Sequence, residues 1–145
     1  IKNKIPNISI GVDVIVGFPL ETEYDFLQTY NLLNDLEVSY LHVFTYSERD
    51  NTLGTTLKPE VPKEARIERS KKLRLLSDVL KSKFIIKNMG KKHRVLIEGK
   101  DDKIVHGYTE NYIKVKIDNR NLTINELVEI NPNYQHSDHM IGTLA

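Results

Sequence analysis

No cysteine occurs anywhere in the 145 residues. That absence excludes disulfides, thiolate metal sites, cysteine nucleophiles and cysteine-held clusters within this chain, and it is compatible with a reducing compartment. Long hydrophobic runs are missing too. No stretch approaches the roughly 18 to 20 residues needed to span a bilayer, and the opening IKNKIPNISI lacks the apolar centre and small-residue cleavage site of a signal peptide. A cytoplasmic location without membrane contact is the expectation. Internal repeats and low-complexity tracts are absent as well. What the chain does have is a hydrophobic fraction of 39%, enough for one ordinary domain or two small ones.

The near-neutral total charge hides an asymmetry. Residues 1–60 carry four Lys/Arg against nine Asp/Glu, a net −5; residues 61–100 carry thirteen against four, +9; residues 101–145 carry four against seven, −3. A basic middle between two acidic flanks points either to a polyanionic partner or to a solvated helix with a charged exterior.

Residues 8–16, ISIGVDVIV, are apolar and β-branched apart from Asp13, as in a parallel strand covered on both faces. The corner Gly17-Phe18-Pro19-Leu20 follows. Thr22 with Asp25 three residues on has the spacing of a capping box, and Glu21 and Glu23 place negative charge at the positive end of a helix dipole. A helix over 23–36 with Phe26, Tyr30 and Leu33 on its buried side, then a strand over 39–46, complete a right-handed βαβ unit. The polar stretch SERDNTLGTTLKPEVP is long enough to be functional. A long helix from about Pro62 to Asn88 carries Leu73, Leu76, Leu80 and Phe84 at helical spacing, with Gly90 as its cap. From His93 onward five short strands separated by turn formers predict a small antiparallel barrel, because closure removes exposed edges.

The GFPLET corner joins the carboxyl end of a strand to a helix N-terminus, where ligands bind in α/β folds. Gly17 reads either as a point of close ligand approach or as a plain turn glycine. In the terminal segment Tyr108, Tyr112 and His106 lie near Lys114, Lys116 and Arg120, an interleaving of stacking faces with cations that suits single-stranded or loop RNA. Tyrosines at alternating strand positions also commonly fill a barrel core. RNA affinity would draw further on Lys91, Lys92, Arg94 and the basic helix. His136 to His139, HSDH, holds potential metal ligands three apart but reads as a polar loop, so no metal site is expected. His42, inside a strand, reads as a hydrogen-bonded core residue.

DVIVGFPLETEYDF, then YLHVFTYSERDNT, the basic ERSKKLRLLS helix and GYTENYIKV resemble, in order and over nearly the whole chain, the C-terminal portion of the radical-SAM tRNA methylthiotransferases. YLHVFTYSER is most similar to the subgroup acting on N6-threonylcarbamoyladenosine beside the anticodon. The resemblance implies an α/β fragment followed by an all-β barrel. The first part is a βαβ remnant of a partial TIM-like radical-SAM barrel over 1–57, and the second a linker and long basic helix over 58–89. The third is an OB-like five-stranded TRAM barrel over 90–145. It also implies S-adenosylmethionine and two 4Fe-4S clusters in the full-length enzyme, and tRNA, through its anticodon stem-loop, as partner. Asp13, Gly17, Pro19, Glu21 and Thr22 match the block near bound S-adenosylmethionine, with Gly17, Pro19, Glu21 and Thr22 as cofactor contacts. Tyr46, Ser47 and Arg49 match the next block, so that with Asp13 they form an active-site wall. Leu20 stands where a glycine is common, and RDNTLGT replaces a shorter R-P-G-T stretch.

Without the three-cysteine cluster motif of the family, the chain is expected to be a fragment with no cofactor and no catalytic residue of its own, inactive alone. The rival expectation is a protein-binding TRAM module from a ribosomal-protein methylthiotransferase. Because one helix covers only one face of a two-stranded sheet, the chain is expected to self-associate or to lay its long helix over the other face.

Overall fold

The computed structural model describes residues 1–118 and 121–145. They form two compact units, one of residues 10–80 and one of residues 1–9 with 81–145.

In the first unit, β1 (Gly11–Val16) and β2 (Tyr40–Thr45) pair in parallel, with Asp13 opposite His42 and Ile15 opposite Phe44. Helix α1 (Glu23–Asp35) connects them and begins at the expected cap. The Thr22 hydroxyl accepts from the Asp25 amide while the Asp25 carboxylate accepts from the Thr22 amide. Helix α2 (Lys63–Asn88) follows a loop containing a 3-10 turn at Leu53–Thr55. Phe26 and Leu33 of α1 and Leu73, Leu76 and Leu80 of α2 pack with Val16, Leu41 and Val43 into one core. Both helices therefore cover the same face of the sheet. The face carrying Asp13, Ile15, His42 and Phe44 is exposed, which rules out one of the two expected covers and corrects the reading of His42. α2 does not lie over it, and His42 is a surface residue packed edge-on against Tyr40 rather than a core histidine. α2 also serves the outer edge of β2. Ser77 Oγ accepts from the Leu41 amide and donates to the Leu41 carbonyl, and Arg74 Nη2 donates to the Val43 carbonyl at 3.1 Å.

The second unit is a five-stranded mixed sheet: β3 (His93–Asp101), β4 (Ile104–Thr109), β5 (Lys114–Asp118), β6 (Leu127–Gln135) and β7 (Met140–Leu144). Its pairing order β3-β4-β5-β7-β6 returns from β6 to β3, so the sheet closes on itself. Four of the pairs are antiparallel. The β5–β7 pair is parallel, because the final hairpin lays β7 rather than β6 beside β5, and so the barrel is not purely antiparallel as expected. Alternation places Val95, Ile97, Val105, Val115, Ile117, Ile130 and Met140 inside, with Ile85 from the last turns of α2 packed against them. Gly107 falls on the inward register. A Cβ there would meet the Leu96 carbonyl oxygen at 2.0 Å, so the backbones of β3 and β4 approach at a spot where only glycine fits. No helix among the described residues is long and apolar enough to cross a membrane.

Candidate functional site

The corner after β1 is held by two arginines of α2. Gly17 has φ +80°, and a Cβ on it would sit 2.3 Å from Arg66 Cγ, so the close approach at this glycine is made by Arg66. The buried Arg66 donates through Nε to the Val61 carbonyl at 2.8 Å and through Nη1 to the Tyr46 carbonyl at 3.2 Å. It also pairs with Glu48 at 2.7 Å. The Arg66 hydrogen bond holds the Glu48 carboxyl below its usual range and raises the arginine correspondingly. Arg69 is buried as well. It bonds the Glu21 carboxylate at 2.9 Å and the Glu21 carbonyl at 3.1 Å, and reaches Glu23 at 3.2 Å. The Gly17 amide donates to the same Glu21 oxygen that takes the Arg69 bond. Glu21 thus ties the strand end to α2, and Thr22 is occupied by its capping box, where hydrogen bonds to Thr22 lower the Asp25 carboxyl. Pro19 is buried beside them.

What faces outward at this end of the sheet is a concavity of about 440 Å³ lined by Ile15, Phe18, Phe44, Thr45, Tyr46, Ser47, Arg49, Thr52 and Gly54. Phe18 and Tyr46 meet edge to face at 5.1 Å, and Arg66 lies 5.7 Å from the Tyr46 ring. The Tyr46 hydroxyl rests against Gly54, where an added Cβ would lie 2.2 Å from it and push the ring end aside. The structure therefore brings Tyr46, Ser47 and Arg49 to one cleft and leaves Asp13 lower on the bare sheet face. Gly17, Pro19, Glu21 and Thr22 lie outside the cleft lining. Phe18, Phe44 and Thr52, which sequence reasoning passed over, complete it. Phe44 shares a face with Ile15 by strand register, a period-2 signal visible in the sequence.

On the barrel, Val105, Gly107 and Thr109 point inward, so His106 and Tyr108 point outward. The tyrosines are accordingly not core. Tyr108 stacks on Tyr112 at 4.8 Å with an interplanar angle of 23°, and Tyr112 is 66% exposed at φ +65°. Cross-strand register sets Lys114 beside Tyr108 and Lys116 beside His106. The exposed Arg94 projects from the same outer surface of β3. His106 also lies 3.6 Å from Asp101 and fills the space left by Gly99. Lys91 and Lys92 line a concavity of about 400 Å³ with His93, Asn111 and Tyr112, so the platform's Tyr112 borders it, and Lys91 bonds Asn7 there at 2.9 Å. Arg120 lies outside the described residues.

Two further polar groups are built into the barrel unit. The buried His93 contacts the Asn88 carbonyl through Nε2 at 2.9 Å, and Asn111 joins Asn88 to Asn7. At the β6–β7 turn, Asp138 Oδ1 lies 2.6 Å from His139 Nδ1 and 3.4 Å from His136 Nδ1. The His139 hydrogen bond, assisted by His136 and the charge of Lys81, lowers the Asp138 carboxyl to about 2.

No family model matches the chain. It is 42% identical over 111 residues to the threonylcarbamoyladenosine tRNA methylthiotransferase of Aquifex aeolicus (strain VF5), a match covering 77% of this chain and 26% of that protein. It is equally identical over 113 residues to the enzyme of that name from Rickettsia prowazekii (strain Madrid E), covering 78% and 26%. It is 33% identical over 133 residues to the tRNA-2-methylthio-N(6)-dimethylallyladenosine synthase of Staphylococcus epidermidis (strain RP62A), covering 90% and 26%. The chain spans about a quarter of the length of the curated relatives it matches. Matches of this strength run across most of the chain in both named groups, and on that ground tRNA methylthiotransferases are its curated homologues.

Proposed function

We propose that this chain is the C-terminal part of a cytoplasmic tRNA methylthiotransferase acting on N6-threonylcarbamoyladenosine next to the anticodon. In this reading residues 10–80 are the closing part of a TIM-like radical-SAM barrel. The five-stranded barrel is an OB-like TRAM module that binds the anticodon stem-loop. The observation that carries the RNA role is the outward Tyr108–Tyr112 stack with Lys114 at its side. An open aromatic face offers a base stacking energy of about 1–3 kcal/mol, and the flanking cations attract phosphate without sequence preference.

The chain contains no cysteine thiolate with which to ligate an iron-sulfur cluster. The cleft at the end of β1 and β2 does suit a wall for S-adenosylmethionine. Phe18, Phe44 and Ile15 present apolar surface, while Ser47, Thr45 and Arg49 supply hydroxyl and cationic donors. When bound with its cluster, that cofactor supplies the methyl group and the C–H activation of methylthiolation. Gly17, Pro19, Glu21 and Thr22 act behind the cleft by locking the strand end against α1 and α2. In the complete protein the mixed face of Asp13, Ile15, His42 and Phe44 lines the barrel interior, and in the isolated chain the same face promotes self-association. Sedimentation velocity over a range of concentrations checks the latter.

Fluorescence anisotropy with an anticodon stem-loop RNA tests the reading. Binding is expected to weaken steeply with salt, and Tyr112→Ala is expected to weaken it about 5- to 150-fold, the equivalent of one lost stack. Absence of binding at low salt, or displacement of the RNA by a ribosomal-protein peptide at similar affinity, overturns it.

A further inference from the structure

The β6–β7 hairpin holds three donor side chains at one point. His136 directly follows β6 and His139 directly precedes β7, so the two-residue loop Ser137-Asp138 sets them opposite one another. The His136 amide closes the turn on the His139 carbonyl at 2.8 Å. Their rings stack at 4.7 Å, and one ligand atom from each of His136, Asp138 and His139 lies within 4.8 Å of the others. We propose that His136, Asp138 and His139 form a binding site for a zinc-class divalent cation.

The chemistry and the distances fit that ion. Imidazole nitrogen and carboxylate oxygen are the donors that zinc accepts at about 2.0–2.2 Å, and a tetrahedron with such bonds has edges of about 3.4 Å. The His136 Nδ1 to Asp138 Oδ1 separation is 3.4 Å, already one such edge. The His139 to Asp138 contact, at 2.6 Å, is a hydrogen bond rather than an edge, and it opens to ligand spacing by a small side-chain rotation once the shared proton leaves. Three protein ligands leave the fourth position for water. The strands fix the backbone of both histidines before any ion arrives, and Gln135 anchors the hairpin through a 2.9 Å bond to Ser82. A His-x-x-His spacing alone is typical of a polar loop. The added fact is that the hairpin brings one oxygen of the intervening aspartate within reach of both Nδ1 atoms. Lys81 opposes a cation here, since its charge acts on Asp138.

Isothermal titration of the untagged chain with Zn2+, paired with Co2+ absorption spectra, tests this. One equivalent is expected to bind, with tetrahedral Co2+ bands in the visible. His136→Ala and Asp138→Asn, both at exposed positions, are expected to weaken Zn2+ binding at least tenfold and abolish those bands, while Lys81→Gln tightens it by severalfold. Zn2+ should also raise the thermal midpoint of the wild-type chain and leave that of His136→Ala unchanged. Absence of stoichiometric binding, or binding that survives both ligand substitutions, overturns the assignment.

Discussion

Replacing Gly17 with alanine separates two costs that a single glycine hides. The backbone cost is that of an L-residue at φ +80°, about 1–2 kcal/mol. The packing cost arises because the new methyl would lie 2.3 Å from Arg66 Cγ and 2.9 Å from its Cδ, mid-chain atoms that cannot swing aside while the guanidinium stays anchored. Arg66 must leave its bonds to the Val61 and Tyr46 carbonyls, each worth about 1.5–3 kcal/mol as a charged hydrogen bond. Part of this is recovered as the arginine reaches water, so the expected total is about 3–5 kcal/mol. Gly90 provides the control, since it has φ +73° but nothing within 4 Å of where an added methyl would sit, and Gly90→Ala should cost only about 1–2 kcal/mol. Urea titrations followed by amide resonances of the unit carrying each substitution would read both values. In an Arg66→Ala background the Gly17→Ala cost should fall to that of Gly90→Ala. An equal cost at the two glycines, or a Gly17→Ala cost unchanged by removing Arg66, would refute the claim that Arg66 is what demands the glycine.

Gly107→Ala should be more severe than either, because the obstacle is the Leu96 carbonyl rather than a side chain. Loss of the dispersed barrel methyl resonances would show it. Asp25 is held below the usual carboxylate range by Thr22, so its contribution is complete above the unfolded value near pH 4 and is lost as pH falls through the lower folded value. Melting temperatures between pH 6 and pH 2 should therefore decline more for the wild type than for Asp25→Asn. Arg69→Ala leaves Glu21 without its cationic partner in a largely buried setting, and the α/β unit should lose about 3–5 kcal/mol in the same urea assay. Lys114→Gln should reduce the slope of log affinity for RNA against log salt by about 0.7–0.9.

The elements and the capping box were legible because period-2 and period-3.6 patterns and the Thr22–Asp25 spacing are local. Arg66 and Arg69 were not, since charge on a helix ordinarily reads as a solvated exterior. Their positions nonetheless continue the buried series Leu73, Leu76 and Leu80 at steps of three and four, and the acidic partners that make them buriable, Glu21 and Glu48, sit on other elements. For the same reason the corner residues were legible as a cluster while their orientation was not. Whether Glu21 faces a cleft or a buried arginine depends on α2, more than 40 residues away. On the barrel, the outward direction of Tyr108 follows from alternation with Val105 and Thr109, but only once Gly107 between them is known to face inward.

The contacts that Ser77 and Arg74 make with Leu41 and Val43 give this small sheet a direction of growth. Three peptide groups that would receive another strand beside β2, the Leu41 amide and carbonyl and the Val43 carbonyl, are already engaged by a helix, whereas β1, among the described residues, has β2 as its one strand neighbour. A strand that extends the sheet therefore meets less competition at β1 than at β2. Edge-to-edge pairing is hindered on one side by two side chains and left open on the other.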